Sequence, residues 1–326
     1  TASKGVVVMR TISGIVVAWA VVVRGALLAQ AVGPGPAEKA PATEAEVARA
    51  KQLVADFLAV RAEELAVGTV AILQGGSQEE RRLSFRECRI PAPNAGSERF
   101  SANVDLSGWY VSFASWPDRD PGDEPPVGAD WAGPLRMQAV ATAFAREHFP
   151  GWSPDMRLEH FNYCRGSAPG TIYMLIWPER LGEWYTGSSA TVKVTAWGEP
   201  EVVYYGARIA PSHSPDEVRV ARERAEAMAV WIEERVAKEP VRLLRVEPCL
   251  SQSLVPGGGP TWVFYFDTKP KVEGGPALHF CVFIDAVTGA DVTWALVPEG
   301  PPPGWPKPED MPPKLRPRPE PPEAQE

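Results

Sequence analysis

The sequence predicts an α+β protein of about three tandem units, each with one helix packed on a curved antiparallel sheet of three or four strands. Three observations carry this reading. Amphipathic, helix-sized segments recur three times, each followed by short apolar runs bounded by turn residues. Ser101-Ala-Asn-Val-Asp-Leu106 lines up with Ser189-Ala-Thr-Val-Lys-Val194, and turn glycines fall at Gly108, Gly198 and Gly289. The segments RLSFREC, RLEHFNYC and RLLRVEPC place Cys88, Cys164 and Cys249 six or seven residues after an arginine.

Thr43-Glu-Ala-Glu46 has the form of a capping box, and Val47, Ala50, Val54, Phe57 and Leu58 follow at helical spacing. A helix is therefore expected over Glu44–Ala66, with strands at Thr69–Leu73, Arg82–Cys88, Arg99–Leu106 and Trp109–Ser115. The second helix opens at Pro134, buries Met137, Val140, Ala141, Phe144 and His148, and stops at Pro150-Gly151. Its strands are Met156–Cys164, Thr171–Trp177, Ser189–Thr195 and Glu201–Tyr205. A second capping box, Ser214-Pro-Asp-Glu217, predicts a third helix over Asp216–Lys238. Strands at Val241–Cys249, Trp262–Phe266 and Leu278–Ile284 follow, then the turn Asp285–Gly289 and a last strand at Val292–Trp294. The first unit reads as degenerate, because RIPAPNAGSER between Cys88 and Phe100 leaves no room for an aromatic strand like Tyr173–Trp177.

These elements divide the chain into 43–117, 131–212 and 213–299, with an acidic, Pro-rich linker at 118–130. Residues 300–326 hold 11 of the 35 prolines and read as an extended or disordered tail. Residues 1–31 look like an export signal or N-terminal anchor. Lys4 and Arg10 precede the apolar run Ile12–Val23, and Ala29-Gln30-Ala31 has the form of a cleavage site. As an uncleaved anchor, the segment would carry Arg24 inside its span, at a cost of about 2.5–3.5 kcal/mol near its centre. A linker at 32–42 joins it to the first unit. The formal charge of −8 becomes −8 − 3 = −11 without residues 1–31, which excludes a phosphate-neutralising nucleic-acid binder.

No catalytic, metal or cofactor motif is present. His148, His160, His213 and His279 have no ligand spacing, and His148 and His279 read as packed residues. Asp118, Asp120 and Asp123 lack the spacing of a calcium loop, so that stretch reads as solvated. Gly166-Ser167 and Gly187-Ser188 are not nucleophile elbows. Pro256-Gly-Gly-Gly-Pro260 lacks the lysine of a phosphate loop. The four cysteines fit either a Cys249–Cys281 disulfide or four thiols. Trp177, Trp262 and Trp294 read as core, whereas Trp109, Trp152, Trp184 and Trp197 border turns and are candidate exposed aromatics for a binding surface.

A helix followed by an antiparallel sheet that closes on V-x-[IV]-D-x-x-[TS]-G-x-x-V resembles the PepSY domain. Ile172–Arg180, Leu181-Gly182, Ala190–Thr195, Gly198 and Val202–Tyr205 resemble the related YcdB/YcdC repeated domain. Asp105 and Asp285 match the family's strand-end aspartate, with Gly108, Gly198 and Gly289 at its turn; Thr195 stands in the aspartate's place in the second unit. The resemblance spans about residues 44–296. It implies a cystatin-like, non-catalytic, extracytoplasmic module without a cofactor. Such a module would bind or regulate a peptidase or other envelope protein in trans. Two other readings stay open: a structural spacer associated with the cell wall, and an enzyme whose residues only folding brings together. N-terminal sequencing of the native protein tests export. A start near Val32 in the envelope or medium is expected, and an intact N-terminus on a soluble cytoplasmic species contradicts it.

Overall fold

The computed structural model describes residues 41–74, 81–91, 96–166, 169–211, 213–238, 240–250, 259–267, 279–293 and 307–316. Residues 1–31, expected as an export signal or anchor, the rest of the Pro-rich tail, Trp294 and most of the Pro256–Pro260 loop lie outside them. The described residues fall into two compact units. One is built on Val32–His213 with Cys249–Ser251, the other on Ser214–Pro248 and Gln252–Glu326.

In the first unit, helix α1 runs Glu44–Phe57 and both halves of its capping box form. Thr43 Oγ1 accepts from the Glu46 N–H at 3.1 Å, and Glu46 Oε2 accepts from the Thr43 N–H at 2.9 Å. The helix stops well short of Ala66. The chain turns through Ala59 at φ 53°, and Ala66 is already bridged to Arg89. Strands β1 (Thr69–Gln74), β2 (Arg81–Pro91), β3 (Ser97–Asp105) and β4 (Tyr110–Ser115) form an antiparallel meander. Helix α2 (Pro134–His148) precedes a second one, made of β5 (His160–Arg165), β6 (Ile172–Leu181), β7 (Trp184–Thr195) and β8 (Val202–Arg208).

The two meanders join through their last strands. Phe113 lies opposite Gly206, Ala114 opposite Tyr205 and Ser115 opposite Tyr204, giving one antiparallel sheet in the order β1-β2-β3-β4-β8-β7-β6-β5. The first two expected units therefore share one sheet and one core. Ala50 and Val54 of α1 and Met137, Ala141 and Ala145 of α2 pack with Phe85, Phe100, Leu175, Val192 and Tyr205. Above the seam, the Phe57 ring lies 5.7 Å from Phe144, 5.4 Å from Tyr205 and 4.3 Å from His148. Tyr205 is fully buried, and its hydroxyl donates to the His148 carbonyl at 2.9 Å.

Two expectations for this unit need correction. Cys88 lies on the second strand of its meander and Cys164 on the first of its own, so the matching cysteine segments are not matching places in the sheet. The first meander has four strands, with β2 in the place that β6 takes in the other. The linker is also not merely solvated. Asp118 accepts from Arg99 Nε at 2.6 Å, Asp120 from Arg165 Nη1 at 2.6 Å, and Arg119 grips the buried Glu98 through Nε and Nη2 at 2.5 and 2.8 Å. These charge-assisted bonds, one of them bidentate, hold the linker against both meanders.

The second unit has β9 (Arg242–Cys249), β10 (Thr261–Asp267) and β11 (His279–Asp285) side by side, with β10 and β11 antiparallel. Helix α3 (Arg222–Ala237) buries Ala225, Met228, Ala229 and Ile232, and Phe264, Phe266, Val282 and Ile284 are buried in its sheet. The second capping box forms, but it caps the 3-10 turn Pro215–Glu217 instead of the helix. Local capping is outweighed here by sheet contacts. The N–H groups of Arg219 and Val220 both donate to the Ala286 carbonyl, and Trp262 Nε1 donates to the Val220 carbonyl, so the chain is extended before α3. Within the expected disordered tail, 307–316 carries the 3-10 turn Pro308–Asp310, and Met311 and Leu315 are buried. Arg224 Nη2 donates to the Arg316 carbonyl at 2.8 Å, so this stretch is anchored.

Tyr205 measures the seam. Tyr205→Ala should destabilise the first unit by about 3–5 kcal/mol, and Tyr205→Phe by about 1 kcal/mol, in urea unfolding followed by tryptophan fluorescence.

Candidate functional site

The residues singled out by sequence mostly build the fold. Asp105 is buried at the β3–β4 turn, where Oδ1 accepts from the Ser107 and Gly108 N–H groups at 2.9 and 3.2 Å. Asp285 does the same at its own turn, accepting from Val287 and Thr288 at 2.7 and 3.1 Å. Both are Asx-type turns. Gly198 and Gly289 take left-handed φ of 76° and 80°, whereas beside Gly108 that conformation falls on Trp109 at φ 51°. Thr195, in the aspartate's place, instead accepts from the Glu201 N–H at 2.9 Å.

The four candidate exposed tryptophans are covered to different degrees. Trp184 is buried at 8% exposure, and Trp109, Trp152 and Trp197 are half-buried. The Arg49 guanidinium covers Trp109 at 3.8 Å, Trp152 packs edge-on against the buried Trp177, and Trp197 Nε1 donates to the Gly170 carbonyl. Trp109, Trp152 and Trp197 are thus engaged in packing while each stays partly exposed.

All four cysteines carry thiols. The expected Cys249–Cys281 disulfide is not formed. Burial pushes the Cys281 thiol up to about 12. Burial also holds the His148 imidazole below its usual value, favouring its neutral form among Phe57 and Phe144. Among the described residues, no group of three or more His, Cys, Asp or Glu is placed to hold a metal, and no helix is long and apolar enough to cross a membrane.

What the sheet does offer is two open edges. Among the described residues, β1 pairs only with β2, and β5 only with β6. Thr69, Val70 and Ala71 are exposed on β1, and Tyr163 and Cys164 on β5. Each strand presents alternate backbone N–H and C=O groups outward, which is a template for an added strand. The approach to β5 is fixed by Glu159, which accepts from Arg180 Nε at 2.5 Å and from the Tyr185 hydroxyl at 2.5 Å. Burial opposes ionisation of Glu159, and these hydrogen bonds outweigh it, holding the carboxyl below its usual range. Next to β1, β2 presents Arg82, Arg86 and Arg89. The repeated arginines of RRLSFRECR were the available sequence signal, but without the strand order they read as an ordinary exposed face.

No family model matches the chain, and no curated protein does. Among solved structures it is similar to the Bacillus megaterium YpeB C-terminal domain, at 14% identity over 78% of this chain and 96% of that one, with a TM-score of 0.37. An uncharacterized protein from Eubacterium rectale gives 8% identity, 76% and 82% coverage, and a TM-score of 0.36. At these values neither likeness carries an argument about function.

A second group missed by sequence is Glu233, which sits in the apolar stripe of α3 between Ile232 and Val236. It is 2% exposed, and its Oε2 has no hydrogen-bond partner among the described residues. Burial pushes its carboxyl up to about 7. The raised value means that the folded state binds the proton more tightly than the unfolded chain does. Stability from this group is full below about pH 4.5 and is lost as pH rises through about 7. Glu233→Gln should therefore leave stability nearly unchanged at pH 4.5 and raise it at pH 8 by on the order of 3 kcal/mol. Denaturant unfolding of both proteins across that range checks the sign.

Proposed function

We propose that this chain is an exported, non-catalytic module that binds or regulates a peptidase or other envelope protein in trans. The observation that carries the reading is the pair of exposed edge strands, β1 and β5, at opposite ends of one sheet. An extended segment of a partner gains main-chain hydrogen bonds along such an edge, with side-chain pockets supplying the selectivity. The PepSY- and YcdB/YcdC-like spacing of Asp105, Asp285 and the turn glycines supports the same class. The apolar segment Ile12–Val23 behind Lys4 and Arg10 supports placement outside the cytoplasm.

The test is affinity capture from envelope extract with the full chain, followed by activity assays on any peptidase recovered. A saturable protein partner whose activity changes on binding is expected. Recovery of cell-wall polymer alone supports the spacer instead, and turnover of a small substrate by the purified chain contradicts a non-catalytic role.

A further inference from the structure

The β1 edge has a chemistry of its own. Leu83, Phe85, Cys88 and Ile90 of β2 are buried in the core, so Arg82, Ser84, Arg86 and Arg89 point to the opposite face of the sheet. A bulge between Phe85 and Cys88 keeps Arg86 and Arg89 on that face. Their neighbours leave part of this charge unmet. Arg82 pairs with Asp105 at 3.6 Å and Arg99 with Asp118 at 2.6 Å. Arg86 Nε and Arg89 Nη1 instead donate to neutral hydroxyls, those of Ser84 and Ser97. Arg89 also faces Arg99 directly across the β2–β3 ladder, and Asp118, bonded to Arg99 and near Arg89, answers part of the charge of both. Glu87 is the one acid in β2, and its Cβ is packed near Gly68.

β1 leaves this charge reachable. Its residues Thr69–Gln74 carry none of their own. In the β1–β2 register, Thr69 lies opposite Arg86, Ala71 opposite Ser84 and Leu73 opposite Arg82, so beside Arg86 the arginine face of β1 is lined by two small, exposed side chains, with the half-buried Leu73 beyond them. On the other face Val70 is 38% exposed. A strand added outside β1 sits about 10 Å from β2. Long acidic side chains on it meet Arg86 across Thr69 and, where the added strand runs past the start of β1, Arg89 across the exposed Ala66, while its alternate residues lie beside Val70. We infer that the β1 edge takes an extended, acidic protein segment that alternates carboxylate and apolar side chains, paired backbone to backbone. This rests on the binding function proposed above and names the kind of segment bound. The net charge of −8 belongs to the whole chain, so the basic strip is a local feature.

The probe is a fluorescein-labelled octapeptide alternating glutamate and valine, titrated into the full chain by fluorescence anisotropy. Saturable binding that weakens with added salt is expected, with hydrogen-exchange protection at Thr69–Leu73. The double variant Arg86→Glu, Arg89→Glu should lose about tenfold in affinity, with its fold checked by circular dichroism. N-methylation of one alternate set of peptide residues should abolish binding and of the other set spare it, which side-chain attraction alone would not produce. Equal binding of a lysine–valine peptide, protection confined to His160–Arg165, or an unchanged affinity in the double variant overturns the inference. If the peptide fails while the chain still captures an envelope protein, this inference falls and the broader binding function stands. If both fail, both are wrong.

Discussion

The first unit depends on three residue pairs between β4 and β8. Among the described residues, Phe113–Ser115 and Tyr204–Gly206 are the place where the two meanders share a ladder, and packing reinforces them from both faces. On the helix side, Tyr205 lies under Phe57 and Phe144, so α1 and α2 meet over the seam. On the other side, Phe113 packs edge-on against Tyr204 at 5.4 Å, and Lys193 Nζ sits 4.6 Å from the Tyr204 ring. Gly206 suits its place opposite Phe113, because a Cβ there would come within 3.0–3.4 Å of Tyr204.

Joining the meanders by their last strands has a direct consequence. Their first strands, β1 and β5, are left at the two ends of the sheet, whereas joining first to first would have buried both. The same arrangement that closes the core thus creates the edges on which the proposed function rests. The linker contributes to this economy of parts: Arg119, Asp118 and Asp120 reach both meanders and hold their separation fixed.

Much of this was legible in the sequence, for physical reasons that differ by element. Helix α1 is announced by a local capping box, and the turns at Asp105 and Asp285 by residues whose side chains bond their own backbone. These signals need no knowledge of the fold. The β4–β8 seam was not legible, because Ala114 and Tyr205 are far apart in sequence and nothing in either strand names its partner. Ser214-Pro-Asp-Glu217 shows the limit from the other direction: the box forms as written, but bonds to Ala286 and Trp262 stop the helix from continuing out of it. The degree to which each turn tryptophan is covered was not legible, because a turn position says nothing about which neighbour lies on the ring: Trp184 is buried, whereas Trp109 stays partly exposed beneath Arg49. Glu233 was invisible in a stripe where an apolar residue was expected.

The central claim is that the two meanders form one cooperative sheet through the seam, with both ends open. Native-state hydrogen exchange, resolved by residue, tests it most directly. The account predicts that amides of Phe113–Ser115 and Tyr204–Gly206 that are bonded across the seam exchange in the slowest class, together with those of Leu175 and Val192. Outward-facing amides of Thr69–Leu73 and His160–Arg165 should exchange fast. Seam amides that exchange well before the interiors of the two meanders, which then open independently, would contradict it.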